Sequence, residues 1–346
     1  MSHLQKVVLV QGSQPSSVFR RSFPPLFQSA DGRQAVYNAH EIIGEQTVAG
    51  QKFDLITYCQ MKNPEEHFPR VVRIAADHLL TVIWMMMFWE KLAPTLQNSK
   101  HSITHTGLLG HSMGVWIAAF AGGLCDYPTW LKITAARAIH CAPIEGNTIV
   151  IRSKQRDKNP PNQNTDDIGL SYLAALCEEL RRSGEQVWVS VINDPRRQVL
   201  ISGTPSGIAK VSNSLEGLQN PNRDIAEINL GPPWHTQLLA PARAEIAKAF
   251  PPASSLYHLS VPLLVLNKRG RLRQIRKPEE VIAAMLHELT EPFNYFRMAS
   301  QLPPVELHEV SVVGRPFLQK LTRQINPELN LQRQPQASTI PQQAPA

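Results

Sequence analysis

The sequence predicts an α/β protein: a large domain on a parallel sheet, interrupted by a smaller β-α-β-β-α-β unit. Three observations carry this. A short β-branched run, "KVVLV", enters a Gly turn near the N-terminus. A second apolar run, "SITHTGLLG", passes through "GHSMG" into the small-residue helix "VWIAAFAGGLC". From about 145 to 230, strand and helix signals follow one another in the order of a ferredoxin-like unit.

Each element has its own warrant. Residues 68 to 92 predict a long helix whose apolar run, Leu79 to Trp89, has 11 residues. That is short of the roughly 20 needed to span a bilayer, so the segment is expected as a buried helix. Asp126 and Pro128 predict the N-cap and first turn of "YPTWLKITAARAIHC". In the insertion, "NTIVIRS" is a strand, "QRDKNPPNQNTDD" a loop and "IGLSYLAALCEELRRSG" an amphipathic helix ending at Gly184. "QVWVSVI" and "QVLISG" form a hairpin across "NDPRR", followed by the helix "SGIAKVSNSLEGL" and the strand "DIAEINLG". The large domain resumes with the helix "LLAPARAEIAKAF", the strand "VPLLVLN", a helix from Pro278, and a strand–helix pair ending near Ile325. The expected organisation is residues 1–144 and 231–326 as a discontinuous α/β-hydrolase-like catalytic domain. Residues 145–230 form the small subdomain, and the Pro/Gln-rich residues 327–346 a disordered tail.

Composition narrows the class. Of 346 residues, 42% are hydrophobic and 18% charged, the balance of a folded soluble protein. Four scattered cysteines with no C-x-x-C pair predict a reducing compartment and no structural zinc. The N-terminus lacks a signal-peptide layout, so a cytoplasmic location with no membrane partner is expected. The net charge is +7, part of it in "NKRGRLRQIRK" (267–277). That stretch is read either as a solvated loop or as a landing patch for an acidic partner or for phosphates. Nucleic acid is disfavoured, because no aromatic residues interleave the charges.

The chemistry centres on Ser112. A serine on a strand–turn–helix is exposed at a helix head, where the N–H of Met113 can face a developing oxyanion. The base expected for it is His235 in "NLGPPWHTQLLAPA", where the insertion ends and a cleft between the two parts is expected. His111, next to the serine, is expected to support the turn. No Asp stands out as a third member. For Arg137 two readings stand from the helix alone: a solvated residue near the helix C-terminus, or a guanidinium held for a carboxylate.

Four motifs in order give a more specific reading. "VQGSQ", "GHSMG", "ITAARA" and "PPWHTQLLAPA", together with the insertion and "LHELTEPFNYFRMA", resemble the malonyl-CoA:acyl-carrier-protein transacylase family. That family includes the acyltransferase domains of fatty-acid and polyketide synthases, and the resemblance runs over about residues 5 to 325. It implies Ser112 as nucleophile, His235 as base and then acid, and Gln11 with the Met113 amide as the oxyanion hole. It further implies Arg137 as the malonyl carboxylate clamp and the main-chain carbonyl of Glu288 as the group that orients His235. The implied substrate is malonyl-CoA, with no permanently bound cofactor and no metal. The implied partner is an acidic, phosphopantetheinylated acyl carrier protein; from its charge the basic 267–277 stretch is the expected docking surface, and the enzyme is expected as a monomer.

The chain departs from the family pattern at several places. Val115 and Trp116 stand where Glu usually follows the elbow, and Leu9-Val10 replaces Pro-Gly before Gln11. Trp234 is bulkier than the usual neighbour of the histidine, and either narrows the acyl pocket or packs inward. "SVVGRPF" matches the C-terminal loop only loosely. The rival readings are an acyl hydrolase on the same fold, which unloads carrier proteins, and a homologue that binds without turnover. A general esterase fits poorly, because 111 residues follow His235.

Overall fold

In the computed structural model, residues 4–11, 27–97, 105–154, 169–217, 223–310, 317–327 and 329 are described. The Gly-Ser-Gln that follows Gln11, the 155–168 part of the insertion loop, residues 311–316 of "SVVGRPF" and the tail from 330 lie outside them.

The elements of the large domain begin with β1 (Lys6–Val10) and helix α1 (Ala30–Ile43), then a small hairpin of β2 (Gln46–Val48) and β3 (Gln51–Phe53). Short helices α2 (Leu55–Gln60) and α3 (Pro64–His67) lead into the long α4 (Arg70–Gln97). Strand β4 (Thr106–Gly110) is followed by α5 (Gly114–Ala121) and α6 (Tyr127–Cys141). The insertion supplies β5 (Asn147–Ser153), α7 (Leu170–Arg182), β6 (Val187–Asp194), β7 (Gln198–Gly203), α8 (Pro205–Glu216) and β8 (Arg223–Ile228). The chain closes with α9 (Ala240–Ala249), β9 (Leu263–Leu266), β10 (Leu272–Ile275), α10 (Pro278–Thr290), β11 (Phe293–Asn294), α11 (Tyr295–Ala299), β12 (Glu306–Val310) and α12 (Phe317–Ile325).

The large sheet runs β10-β9-β4-β1-β12. Strands β9, β4, β1 and β12 are parallel, and β10 is an antiparallel edge. Every residue of β1 and of β4 is buried, which is why both read as continuous apolar runs rather than alternating ones. The register places Val10 beside Gly110, so these two strands end level and deliver Gln11 and His111 to the same edge.

Helix α4 is long and apolar enough to cross a membrane over Arg70–Pro94, although its uncharged run alone is not. Of its most apolar 18-residue stretch 78% is buried inside the protein. There Val72, Ala75, Ala76, Leu79, Leu80, Ile83 and Trp84 join a core shared with α1 and α6. Asp126 caps α6 as expected, accepting from the Thr129 N–H at 2.9 Å.

The smaller sheet has the order β11-β6-β7-β5-β8. Its four inserted strands follow the expected succession, but β11, which the sequence reading omitted, adds a fifth in parallel with β6. This short strand comes from the chain just after α10, so the small sheet is tied to the large domain at the place where α10 ends. The basic stretch 267–277 also differs from a plain loop. It is the turn and second strand of the β9–β10 hairpin, with Leu272 and Ile275 turned inward and the cations outward.

Candidate active site

The turn after β4 is built by steric necessity. A Cβ on Gly110 would lie 2.2 Å from the Val115 nitrogen, and one on Gly114 would lie 2.1 Å from the Val10 carbonyl oxygen. Only glycine lets α5 approach β1 this closely. Between them Ser112 adopts φ +55°, a left-handed conformation that costs a non-glycine residue of order 1–3 kcal/mol. Met113 sits in the right-handed helical region at the head of α5. The helix therefore points its N-terminus at the turn that holds the serine.

His235 meets Ser112 across 123 residues of sequence. Its Nε2 lies 2.8 Å from Ser112 Oγ, and its Nδ1 lies 2.6 Å from the main-chain oxygen of Glu288. That oxygen belongs to the last turn of α10, where a helix leaves its carbonyls without intrahelical donors. Nδ1–H therefore donates to the carbonyl, which leaves Nε2 as the lone-pair acceptor for the serine proton. His235 itself has φ +62°. Neighbouring bonds hold this strained turn: Thr236 Oγ1 donates to the Pro233 carbonyl at 2.6 Å, and Gln237 Nε2 to Glu291 at 2.8 Å. Burial pushes the His235 ring below the ordinary imidazole value. Glu288's charge and carbonyl pull it upward, and the Arg137 charge adds to the lowering. The ring is thus held neutral, the form a base needs.

Arg137 is buried, 2% exposed, so the solvated-helix reading does not describe it. Its guanidinium lies 4.2 Å from the ring centre of Trp234 and 5.3 Å from that of Trp116. Trp234 packs inward, between Arg137 and His78, whose ring centre is 4.8 Å away. Among the described residues the Nε and Nη2 of Arg137 have no hydrogen-bond partner. Its nearest anion is the Glu288 carboxylate, with Oε2 at 3.8 Å from Nη2. That same carboxylate accepts from Trp116 Nε1 at 2.8 Å and reaches Ser112 Oγ at 3.4 Å. One side chain thus touches the serine, the tryptophan and the guanidinium.

Gln11 is buried at the end of β1, and its main-chain N–H donates to the Val310 carbonyl at 3.1 Å. That N–H continues the β1–β12 ladder, so an oxyanion contact from Gln11 would fall to its side chain. His111 turns away from the serine as expected. Its Nε2 lies 2.7 Å from Asn193 Oδ1 on β6, and its ring packs edge-on against Phe293 and Tyr295. Burial lowers its pKa to about 4. The residues that sequence reasoning missed are Trp116, His78, Asn193 and the side chain of Glu288. Trp116 had a signal: it lies in the first turn of α5, directly after the serine turn. Among the described residues no cluster of three or more His, Cys, Asp or Glu is placed to hold a metal ion.

No family model and no curated protein matches the sequence. Solved structures match it in three dimensions. A malonyl-transacylase determined in complex with its type II polyketide-synthase acyl carrier protein aligns over 94% of both chains, at TM-score 0.66 and 16% identity. The acyl carrier protein S-malonyltransferase of Vibrio cholerae aligns over 94% of this chain and 95% of that one, at 0.64 and 18%. The malonyl-CoA:acyl carrier protein transacylase of Xanthomonas oryzae pv. oryzae aligns over 94% and 92%, at 0.65 and 17%. The fold is that of the malonyl transacylases. Within that transacylase fold, Ser112, His235, the Glu288 carbonyl and Arg137 come together around one carboxylate, and the basic hairpin leads directly into α10, which carries Glu288. The hairpin's tip carries exposed Lys268, Arg269 and Arg271, while Arg273 pairs with Glu280 at 2.8 Å and Arg276 donates to the Leu259 carbonyl.

Proposed function

We propose that this protein is a serine acyltransferase that moves a malonyl group from malonyl-CoA to the phosphopantetheine thiol of an acyl carrier protein. The observation that carries the reading is the Ser112–His235–Glu288 carbonyl relay beside a buried arginine with two donor nitrogens unmatched among the described residues. Glu288 faces the guanidinium at 3.8 Å, beyond hydrogen-bond distance, so these donors stay open, and their fork suits a carboxylate. The transacylase fold supports the same assignment.

In this mechanism His235 Nε2 takes the Ser112 proton as Oγ attacks the thioester carbonyl. The tetrahedral oxyanion is assigned to Gln11 and the Met113 N–H. The C–S bond breaks, the CoA sulfur takes the proton from His235, and a malonyl ester remains on Ser112. Its carboxylate lies on the Nε and Nη2 donors of Arg137. The carrier thiol then gives its proton to His235 and attacks the ester, and Ser112 Oγ recovers that proton as it leaves. Charge complementarity assigns the acidic carrier protein to the tip at Lys268, Arg269 and Arg271.

The test is the partition of the acyl group. With malonyl-CoA and a holo acyl carrier protein, malonyl-carrier is the expected product, and carrier affinity falls steeply with added salt. Free malonate formed at the same rate with and without carrier protein would assign the chain to the hydrolases instead. Carrier affinity independent of salt would remove the hairpin from the interface.

A further inference from the structure

The acyl site carries an anion of its own. Glu288 and Arg137 are both 2% exposed, and their charges face each other at 3.8 Å. The distance is too long for a hydrogen bond, so Nε and Nη2 stay unmatched among the described residues while the charge is already balanced. The carboxylate is anchored by the Trp116 indole N–H at 2.8 Å and stands 3.4 Å from the serine oxygen. It therefore occupies the space between the acyl-bearing atom and the clamp, where the far end of a malonyl ester would lie.

We propose that Glu288 is a selectivity residue of the acyl pocket. Its side-chain carboxylate competes with a malonyl carboxylate for Arg137, so the enzyme loads neutral short acyl thioesters alongside malonyl-CoA. This inference rests on the acyl-enzyme reading above. Like charges brought together in a buried site repel strongly, so a malonyl ester must displace Glu288 from its place. A neutral acyl group meets no such repulsion and leaves the Glu288–Arg137 pair in place. The main-chain carbonyl of Glu288 continues to orient His235 in either case, so selectivity and base orientation reside on different atoms of one residue.

The experiment offers the full-length protein equal amounts of malonyl-CoA and acetyl-CoA and reads both adducts on Ser112 by intact mass. The wild type is expected to carry both. Glu288→Gln keeps the shape, the main-chain carbonyl and an acceptor for Trp116 while removing the charge. It should move the malonyl-to-acetyl ratio at least tenfold toward malonyl. Glu288→Ala should move it the same way, which covers the case that the Gln variant misfolds; thermal melting identifies a misfolded variant. An unchanged ratio in folded variants, or a shift toward acetyl, overturns the proposal and leaves the acyl-enzyme standing. Failure of both thioesters to label wild-type Ser112, with Ser112→Ala as the blank, overturns the acyl-enzyme reading and this proposal with it.

Discussion

Gly114→Ala tests whether the serine turn is set by the approach of α5 to β1. The added Cβ would stand 2.1 Å from the Val10 oxygen and 2.9 Å from the Val10 carbonyl carbon, both backbone atoms that cannot swing aside. A gap of roughly 1 Å must open between helix and strand, at or above the ~1–3 kcal/mol typical of overpacking. With about 2–4 °C per kcal/mol for domains of comparable size, melting should fall by roughly 5–10 °C. The displaced serine should also lose reactivity, since about 1 Å of misplacement is worth on the order of 100-fold. Gly217→Ala is the control: its φ is −61° and the nearest atom to a new Cβ is 3.6 Å away. The assay is thermal unfolding together with the rate of fluorophosphonate labelling of Ser112. A Gly114→Ala protein that melts and labels like the wild type would refute the steric account of the turn.

Other predictions follow from the same geometry. Arg137→Ala strands Glu288 in the interior and should cost about 3–5 kcal/mol in chemical denaturation, and adding Glu288→Gln should recover most of it. Additive losses would mean the two charges are not coupled. Asn193→Ala leaves the buried His111 Nε2 without its partner and should destabilise by about 1–3 kcal/mol, read as a shifted denaturation midpoint with unchanged slope. Burial lowers His78 to about 3 and His111 to about 4, so below about 6.5 the unfolded chain binds protons that the folded chain refuses. Stability should therefore fall as pH drops from 6.5 toward 4, each ring adding a slope of up to about 1.4 kcal/mol per pH unit. A flat stability profile over that range would contradict the burial of these rings.

The turn at Ser112 was legible because glycines are required at fixed offsets, and that requirement survives in a five-residue string. The insertion was legible because its strands alternate with helices at regular spacing. By contrast, residues 27 to 60 gave no readable pattern. Helix α1 buries only Gly32, Val36 and Ala39, and the three-residue strands "QTV" and "QKF" are mostly polar. The hairpin at 267–277 was obscured by its charges, since only Leu272 and Ile275 turn inward. Arg137 illustrates the limit of local reading. Its own helix does not reveal that Trp116 and Trp234, from two other segments, close over it. The resemblance pointed to the carbonyl of Glu288, but its carboxylate acts through packing that no spacing rule records.

The measurement that bears most directly on the central claim is the intact mass of the protein after brief exposure to malonyl-CoA alone, beside Ser112→Ala and His235→Ala. The account predicts a malonyl adduct that persists without a carrier protein. It should vanish in the serine variant and form slowly in the histidine variant. Release of free CoA with no lasting adduct, or an adduct that survives Ser112→Ala, would contradict it.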